Sequence, residues 1–313
     1  MSVPPDAARV RTVFLGSGAF GAPALRRLAT HPDVELVGIV TAPERPAGRR
    51  QDLTPTPIGS LAGELGLAPL LTPARLRAPE AIDAVLALGP GLAVLADYGQ
   101  LVPPALLDLP HGALNLHPSA LPRWRGAAPI PATILAGDPS TAVTLMRMDA
   151  GLDTGPIVGR VEVPLVGDEP AAELEHRLAT LAADLLETSL GPWLRGELPA
   201  IPQPDTGVEL TRPLRREDGR LDPALPAAAL ERRVRAFQPW PGTHLDLPDG
   251  RLVVTQASVA PAGDGDVPGS LVREGDRPAL ATPDGRLILE RVTPPGRRPM
   301  SGADWLRGRR DRA

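Results

Sequence analysis

Three residues near the middle of this chain carry the side chains that an acyl-type transfer needs. Asn115 and His117 lie two apart, and Asp153 follows within the run M-D-A-G-L-D-T-G-P. In an extended strand a spacing of two puts both side chains on one face. The apolar run from Gly112 through Leu116 suits a buried parallel strand. Pro118, with no N–H to give, ends the ladder. An amide and an imidazole therefore leave one strand end together, in the crevice where open α/β folds place reactive groups. Asn115 offers NH₂ donors, His117 one or two ring N–H groups, and Asp153 a carboxylate. Donors aimed at a tetrahedral oxyanion are worth about 10²–10³ in rate. A positioned acid–base group adds about 10²–10⁴. Taken singly, each residue has a plainer reading: a His between Leu116 and Pro118 as structural, Asp153 before Thr154-Gly155 as a turn residue. The ordered set is what points to chemistry.

The elements that must position these groups can be read along the chain. Val10 to Leu15 predicts a buried strand, followed by G-S-G-A-F-G (Gly16 to Gly21) and a helix over Ala22 to Thr30. Strand, glycine-rich turn and helix open a Rossmann-like unit. The six turn residues also satisfy the dinucleotide fingerprint, which wants Asp or Glu about 20 residues on, at the end of the second strand. Here that strand, Val34 to Val40, runs into Thr41-Ala42-Pro43, and Glu44 comes late in a Pro-bounded loop. The motif is half complete, and the turn reads as backbone shape. Pro43 to Arg50 then predicts a mobile, basic loop. Further helices are predicted over Pro57 to Leu65, Pro79 to Leu88, Ala127 to Ala136 and Pro170 to Arg195. Strands are predicted near Leu70-Leu71 and over Gly91 to Ala96, Leu114 to Leu116 and Ala142 to Met148. Alternating β and α marks an open parallel sheet. Ile201 to Leu210 reads as a linker. After it come one helix (Pro226 to Phe237), several short strands with two D-G turns, and a last helix (Ser301 to Arg309). A small OB-like β-barrel fits that order, and such barrels often bind nucleic acids. The expected division is residues 1–205, including a linker from near 197, and residues 206–313.

Composition bounds the functions. The chain has 313 residues, 42 % of them hydrophobic, and no cysteine, which excludes disulfides and thiolate metal sites. All 33 basic residues are Arg, so a Lys Schiff base is excluded. No apolar run approaches a membrane span and the N-terminus lacks a signal-peptide core, so a cytoplasmic protein without a membrane partner is expected. Net charge is −4, unevenly spread. Residues 206–313 carry 18 Arg against 15 acidic residues, and residues 1–205 hold the acidic excess. By itself a net +3 reads as a solvated face.

The run N-L-H-P-S-A-L-P-R-W-R-G-A-A-P, followed by M-D-A-G-L-D-T-G, resembles the methionyl-tRNA formyltransferase family, whose usual pattern is N-x-H-x-S-L-L-P-x-x-R-G-A-A-P and L-D-T-G. The resemblance spans nearly the whole chain. It extends to the turn after the first strand, where Gly18 stands for a usual Pro, and to Tyr98, Gly99 and Pro103 of A-Y-G-x-x-L-P, where Asp97 stands for a small residue. It includes the R-P-A-G-R loop and A-F-x-P-W-P at Ala236 to Pro241. It implies a formyltransferase N-terminal fold and transfer of a formyl group from 10-formyltetrahydrofolate to the α-amine of methionyl-initiator tRNA. Asn115, His117 and Asp153 would be catalytic. Ser119, Ala120, Leu121, Pro122, Tyr98 and Gly99 would line the folate site. Arg45 and Arg49 in the loop, with Arg298 and Arg310 in the C-terminal part, would meet tRNA. No metal is implied, and a monomer is expected. The competing readings are another formyltransferase or a hydrolase using the same folate on a nucleotide or sugar amine, a dinucleotide-dependent oxidoreductase, and a catalytically silent tRNA-binding protein. R-W-R-G-A-A-P, the basic loop, the missing acid and the complete catalytic set weigh against them in turn.

Overall fold

Short apolar runs separated by amphipathic stretches become strands and helices that largely alternate through the first two thirds of the chain. The computed structural model describes residues 9–47, 51–67 and 69–310. Its elements in order are β1 (Val10–Gly16), α1 (Ala22–Thr30), β2 (Val34–Val40), β3 (Arg45–Ala47), β4 (Asp52–Thr54), α2 (Pro57–Glu64), β5 (Leu70–Leu71), α3 (Pro79–Leu86), β6 (Leu92–Ala96), α4 (Pro104–Leu107), β7 (Ala113–His117), β8 (Arg125–Gly126), α5 (Pro129–Ala136), β9 (Ser140–Arg147), β10 (Ile157–Pro164), α6 (Ala171–Leu194), β11 (Leu210–Thr211), α7 (Ala227–Ala236), β12 (Thr243–Leu247), β13 (Gly250–Ala260), β14 (Leu271–Glu274), β15 (Arg277–Ala281), β16 (Arg286–Thr293), β17 (Met300–Ser301) and α8 (Gly302–Arg310). Two compact units emerge. One holds residues 1–129, 140–164 and 175–211, the other 130–139, 165–174 and 212–313.

In the first unit seven strands form one sheet in the order β10-β9-β7-β6-β1-β2-β5. The five from β5 to β7 are parallel, and β1, β2, β6 and β7 among them are the largely buried apolar runs that parallel strands favour. The sheet is not parallel throughout: β9 runs antiparallel to β7, and β10 antiparallel to β9. The nine residues between β9 and β10 are too few for a parallel crossover, so the pair must be antiparallel. Strand β10 escaped the sequence reading because Gly159 and Arg160 interrupt its alternation. The core beneath the sheet gathers Val13, Leu15, Val40, Leu95, Leu106 and their neighbours. The predicted mobile loop also needs correction. Its flanks pair as the ribbon β3–β4, with Arg45 opposite Thr54.

The second unit is a curled antiparallel half-barrel of the OB-like kind, ordered β12-β13-β16-β15-β14 with β17 on β16. Its 11-residue strand β13 shifts register on both sides of Gln256, and bulges of this type bend a strand. Leu230, Val234, Leu245, Val254, Leu287, Leu289 and Trp305 gather in its core. Asp218 secures the approach to this sheet, accepting from Arg212 at 2.8 and 2.5 Å and from the Arg215 N–H at 2.7 Å. Those donors hold its carboxyl at about 2, below the ordinary 3.8. Because the folded carboxyl titrates below the unfolded one, its stabilisation is complete above pH 3.8 and is lost as pH falls toward 2. Asp218→Asn should lower stability at pH 7 by about 1 kcal/mol, the usual worth of such a turn-closing acceptor. The same variant should lose less than the parent between pH 4 and 2, read by thermal unfolding. No described helix is long and apolar enough to cross a membrane.

Candidate active site

Strand β7 carries Asn115 and His117 at alternate positions, so both leave the same side of its pleat. His117 is 5 % exposed, and its ring is held by one hydrogen bond. Its Nε2 lies 3.0 Å from the Trp124 carbonyl oxygen. A carbonyl only accepts, so Nε2 carries the proton, and Nδ1 is the nitrogen free to exchange one. Nδ1 faces the Asp153 carboxylate, with Oδ2 at 3.8 Å. That oxygen also accepts from the Gly126 N–H at 2.7 Å. Asn115 is half-buried, and its amide bonds to no described residue, so its donors remain open. Trp124 and Asp153 both hold left-handed backbone, φ 61° and 51°. Such residues are sparse outside glycine and cluster at functional sites.

The turn after β7 is locked from within. Ser119 donates its hydroxyl to the Arg123 carbonyl at 2.7 Å, and Thr144 donates to the Ser119 carbonyl at 2.7 Å. Ser119, Leu121 and Pro122 are buried, and Ala120 is half-buried. The Asp153 loop is closed by its own turn. Asp149 accepts from Thr154 Oγ1 at 2.6 Å and from the Gly151 N–H at 3.0 Å. Position 155 admits only glycine, since a Cβ there would lie 1.9 Å from the Arg147 carbonyl oxygen.

The segment read as a linker is instead a strap across this site. Ile201 bridges to Ile157. Gln203 donates to the main-chain carbonyls of Asp153 (2.8 Å) and Gly155 (2.7 Å), while its own carbonyl accepts from Arg125 at 3.1 and 2.7 Å. Glu209 pairs with Arg123, and β11 adds to β8 in parallel. Gln203, Arg125 and Glu209 were missed as site residues. Arg125 stands inside R-W-R-G, but its partner lies 78 residues on and no local pattern announces it. Gln203→Leu removes both donors to the Asp153 loop. Since misplacement by about 1 Å can cost about 10²-fold, it should lower kcat at least tenfold with little change in folate affinity. Unchanged kcat would show that the loop holds itself.

The residues after β6 divide. Tyr98 packs its ring against the core beneath the sheet. Its hydroxyl is buried without a partner among the described residues, and burial pushes its pKa up to about 12. Gly99 is exposed and lines a cleft with Ser17, Gly18 and Arg45. Arg298 is exposed in the connection between β16 and β17, and Arg310 ends α8. Arg49 lies outside the described residues. Among the described residues no three His, Asp or Glu side chains gather as metal ligands.

The formyl transferase family model matches residues 10–190, and the model of the formyl transferase C-terminal domain matches residues 213–310. The methionyl-tRNA formyltransferase of Halorhodospira halophila (strain DSM 244 / SL1) is 44 % identical over 302 residues, 96 % of this chain and 96 % of that protein. That of Roseiflexus sp. (strain RS-1) is 41 % identical over 303 residues, 96 % of this chain and 93 % of that protein. Among solved structures, the N-formyltransferase from Helicobacter canadensis in complex with folinic acid and dTDP-3-aminofucose superposes with a TM-score of 0.63 at 12 % identity, over 90 % of this chain and 98 % of that one. HypX from Aquifex aeolicus in complex with tetrahydrofolic acid gives 0.63 at 15 % identity, over 96 % of this chain and 47 % of that one. At such identities the structural likeness is one of fold. The relatives at 41–44 % identity, aligned over nearly the full length with both domain models in order, place the sequence more narrowly: the chain belongs to the methionyl-tRNA formyltransferase family.

Proposed function

We propose that this protein transfers the formyl group of 10-formyltetrahydrofolate to the α-amino group of methionyl-initiator tRNA. The observation that carries the chemistry is the His117–Asp153 pair beside the open Asn115 amide at the end of β7. The unprotonated amine attacks the formyl carbon, and the carbonyl oxygen becomes an oxyanion that the Asn115 N–H groups stabilise. The proton released by the amine passes to His117 Nδ1, and the Asp153 carboxylate stabilises the imidazolium that forms. The C–N10 bond then breaks, and the Nδ1 proton goes to the departing N10. One N–H is consumed and one is made, so no outside oxidant or reductant is needed. Folate would lie against the turn Ser119 to Pro122. Ser119 and Leu121 would contribute main chain, because their side chains are buried. Gly99 would contribute from the loop after β6, and Tyr98 would support that loop from below.

Residues 206–313 would hold tRNA, with Arg298 and Arg310 as distributed phosphate contacts and Arg45 and Arg49 placing the acceptor end. The enzyme would act as a cytoplasmic monomer. Incubation with 10-formyltetrahydrofolate and methionyl-tRNA should yield formyl-methionine after deacylation, and no product would overturn the proposal. A net charge of −4 obliges tRNA binding to act through local patches. The affinity should therefore fall steeply with salt as counterions are released. Arg298→Ala should raise KM modestly, whereas Arg49→Ala should lower kcat more than it raises KM. Both are read across a salt series. If Arg49→Ala leaves both parameters unchanged, the loop does not place the acceptor.

A further inference from the structure

The strand order reverses between β1 and β6. From β1 the chain steps outward to β2 and β5, and β6 steps the other way to β7. The loops that follow β1 and β6 therefore diverge and open a crevice at their carboxyl ends, where ligands of open α/β sheets bind. A cleft of about 650 Å³ occupies that point, lined by Ser17, Gly18, Arg45, Thr56, Asp97 and Gln100 among others. The volume is in the range of small-molecule sites.

Most polar side chains of this cleft are already engaged. Ser17 Oγ accepts from the Ala42 N–H, and Thr56 Oγ1 accepts from the Gly59 N–H. Both Gln100 amide atoms bond to main chain, at Leu76 and Pro73. The Asp97 carboxylate has no hydrogen-bonded or ion-paired partner among the described residues. Asp97 is exposed where it lines the cleft, and the protein around its carboxyl raises its pKa by desolvation. Its backbone is left-handed, φ 53°, held by the Ser17 and Gly18 N–H groups donating to its carbonyl at 3.0 and 3.4 Å. A Cβ at position 18 would lie 1.5 Å from Asp97 Oδ2. Gly18 and Asp97, two of the departures from the family pattern in these loops, are thus one arrangement: the glycine vacates the space that the carboxylate fills. Ala96 pairs with Leu116, so Asp97 and His117 follow side by side on adjacent strand ends.

We infer that Asp97 is a specificity-determining residue that accepts a hydrogen bond from the ribose hydroxyl next to the aminoacyl ester on the terminal nucleoside of the acceptor strand, with Arg45 in the same cleft toward its phosphate. The inference rests on the acceptor being an aminoacyl-tRNA. A sugar–phosphate matches a cleft that offers one uncommitted acceptor and one guanidinium. The α-amine is the poorer partner for Asp97, because a carboxylate would keep it protonated and so unable to attack.

The test compares kcat/KM for methionyl-tRNA ending in adenosine with that for methionyl-tRNA ending in 2′-deoxyadenosine, methionylated on the 3′ oxygen. It uses the full chain and its Asp97→Gly and Asp97→Asn variants. Glycine and asparagine both tolerate the left-handed backbone, and unchanged thermal midpoints confirm folding. The parent should lose about tenfold on removal of the hydroxyl, the scale of one hydrogen bond to a charged acceptor. Asp97→Gly should lose about tenfold with the ordinary substrate and nothing further with the deoxy one. Asp97→Asn keeps an acceptor oxygen and should retain part of the discrimination. Equal discrimination by the parent and Asp97→Gly, or none by the parent, overturns the role of Asp97 while leaving formyl transfer to tRNA intact. If the parent formylates neither substrate, the reading of the acceptor fails and the inference fails with it.

Discussion

His117→Ala is expected to lower kcat for formyl transfer by about 10²–10⁴-fold, the range for loss of a positioned acid–base group. The imidazole is enclosed, its Nε2 proton is committed to the Trp124 carbonyl, and its Nδ1 is aimed at Asp153. Asn115→Ala should cost about 10²–10³ through the lost oxyanion donor. Asp153→Ala should cost about 10² or more, because the imidazolium would lose its counter-charge. Groups that act as a unit are far from additive. The His117→Ala/Asp153→Ala double variant should therefore be no slower than the worse single variant. Single-turnover formylation with saturating tRNA and folate separates these losses from binding, and circular dichroism verifies the fold. Near-parental turnover in any single variant removes that residue from the mechanism. Multiplicative losses in the double variant would separate His117 from Asp153.

Gly126→Ala is the second large expectation, and it tests the positioning of the carboxylate rather than its chemistry. Gly126 adopts φ 109°, which side-chain-bearing residues avoid, and an added Cβ would lie 2.3 Å from the Thr211 carbonyl oxygen. Neither obstacle is a flexible side chain, so backbone must move. The Gly126 N–H holds Asp153 Oδ2, and the strand containing Gly126 carries the strap at β11. A displacement of about 1 Å here should lower kcat about 10²-fold, with a lower thermal midpoint as the strap detaches. The affinity for folate should change little, since the turn Ser119 to Pro122 is locked by its own hydrogen bonds. Activity within twofold of the parent would mean that Asp153 is positioned without this bond.

How much of this was legible beforehand follows from the range of the interactions concerned. The spacing of Asn115 and His117 on one strand face, the glycine turn after β1, and helices such as Ala22–Thr30 could be read directly. Each depends on side-chain periodicity and on turn residues within a few positions. Of the candidate set, the sequence alone supplied the residue types and their order, and the resemblance supplied the roles proposed for them. The folded chain decided what faces what. It set Nδ1 of His117 toward Asp153, turned β9 and β10 antiparallel, and packed Tyr98 against the core. It also converted a proline-rich connection into a strap, bonding Gln203 to Arg125 across 78 residues and Glu209 to Arg123 across 86. Gly18 and Asp97 looked like two unrelated departures until β1 and β6 were seen as neighbours. Local pattern encodes which way a side chain points from its own element. Which element lies opposite is decided by packing the whole apolar surface, because that pairing is a property of distant segments brought together only when the core closes.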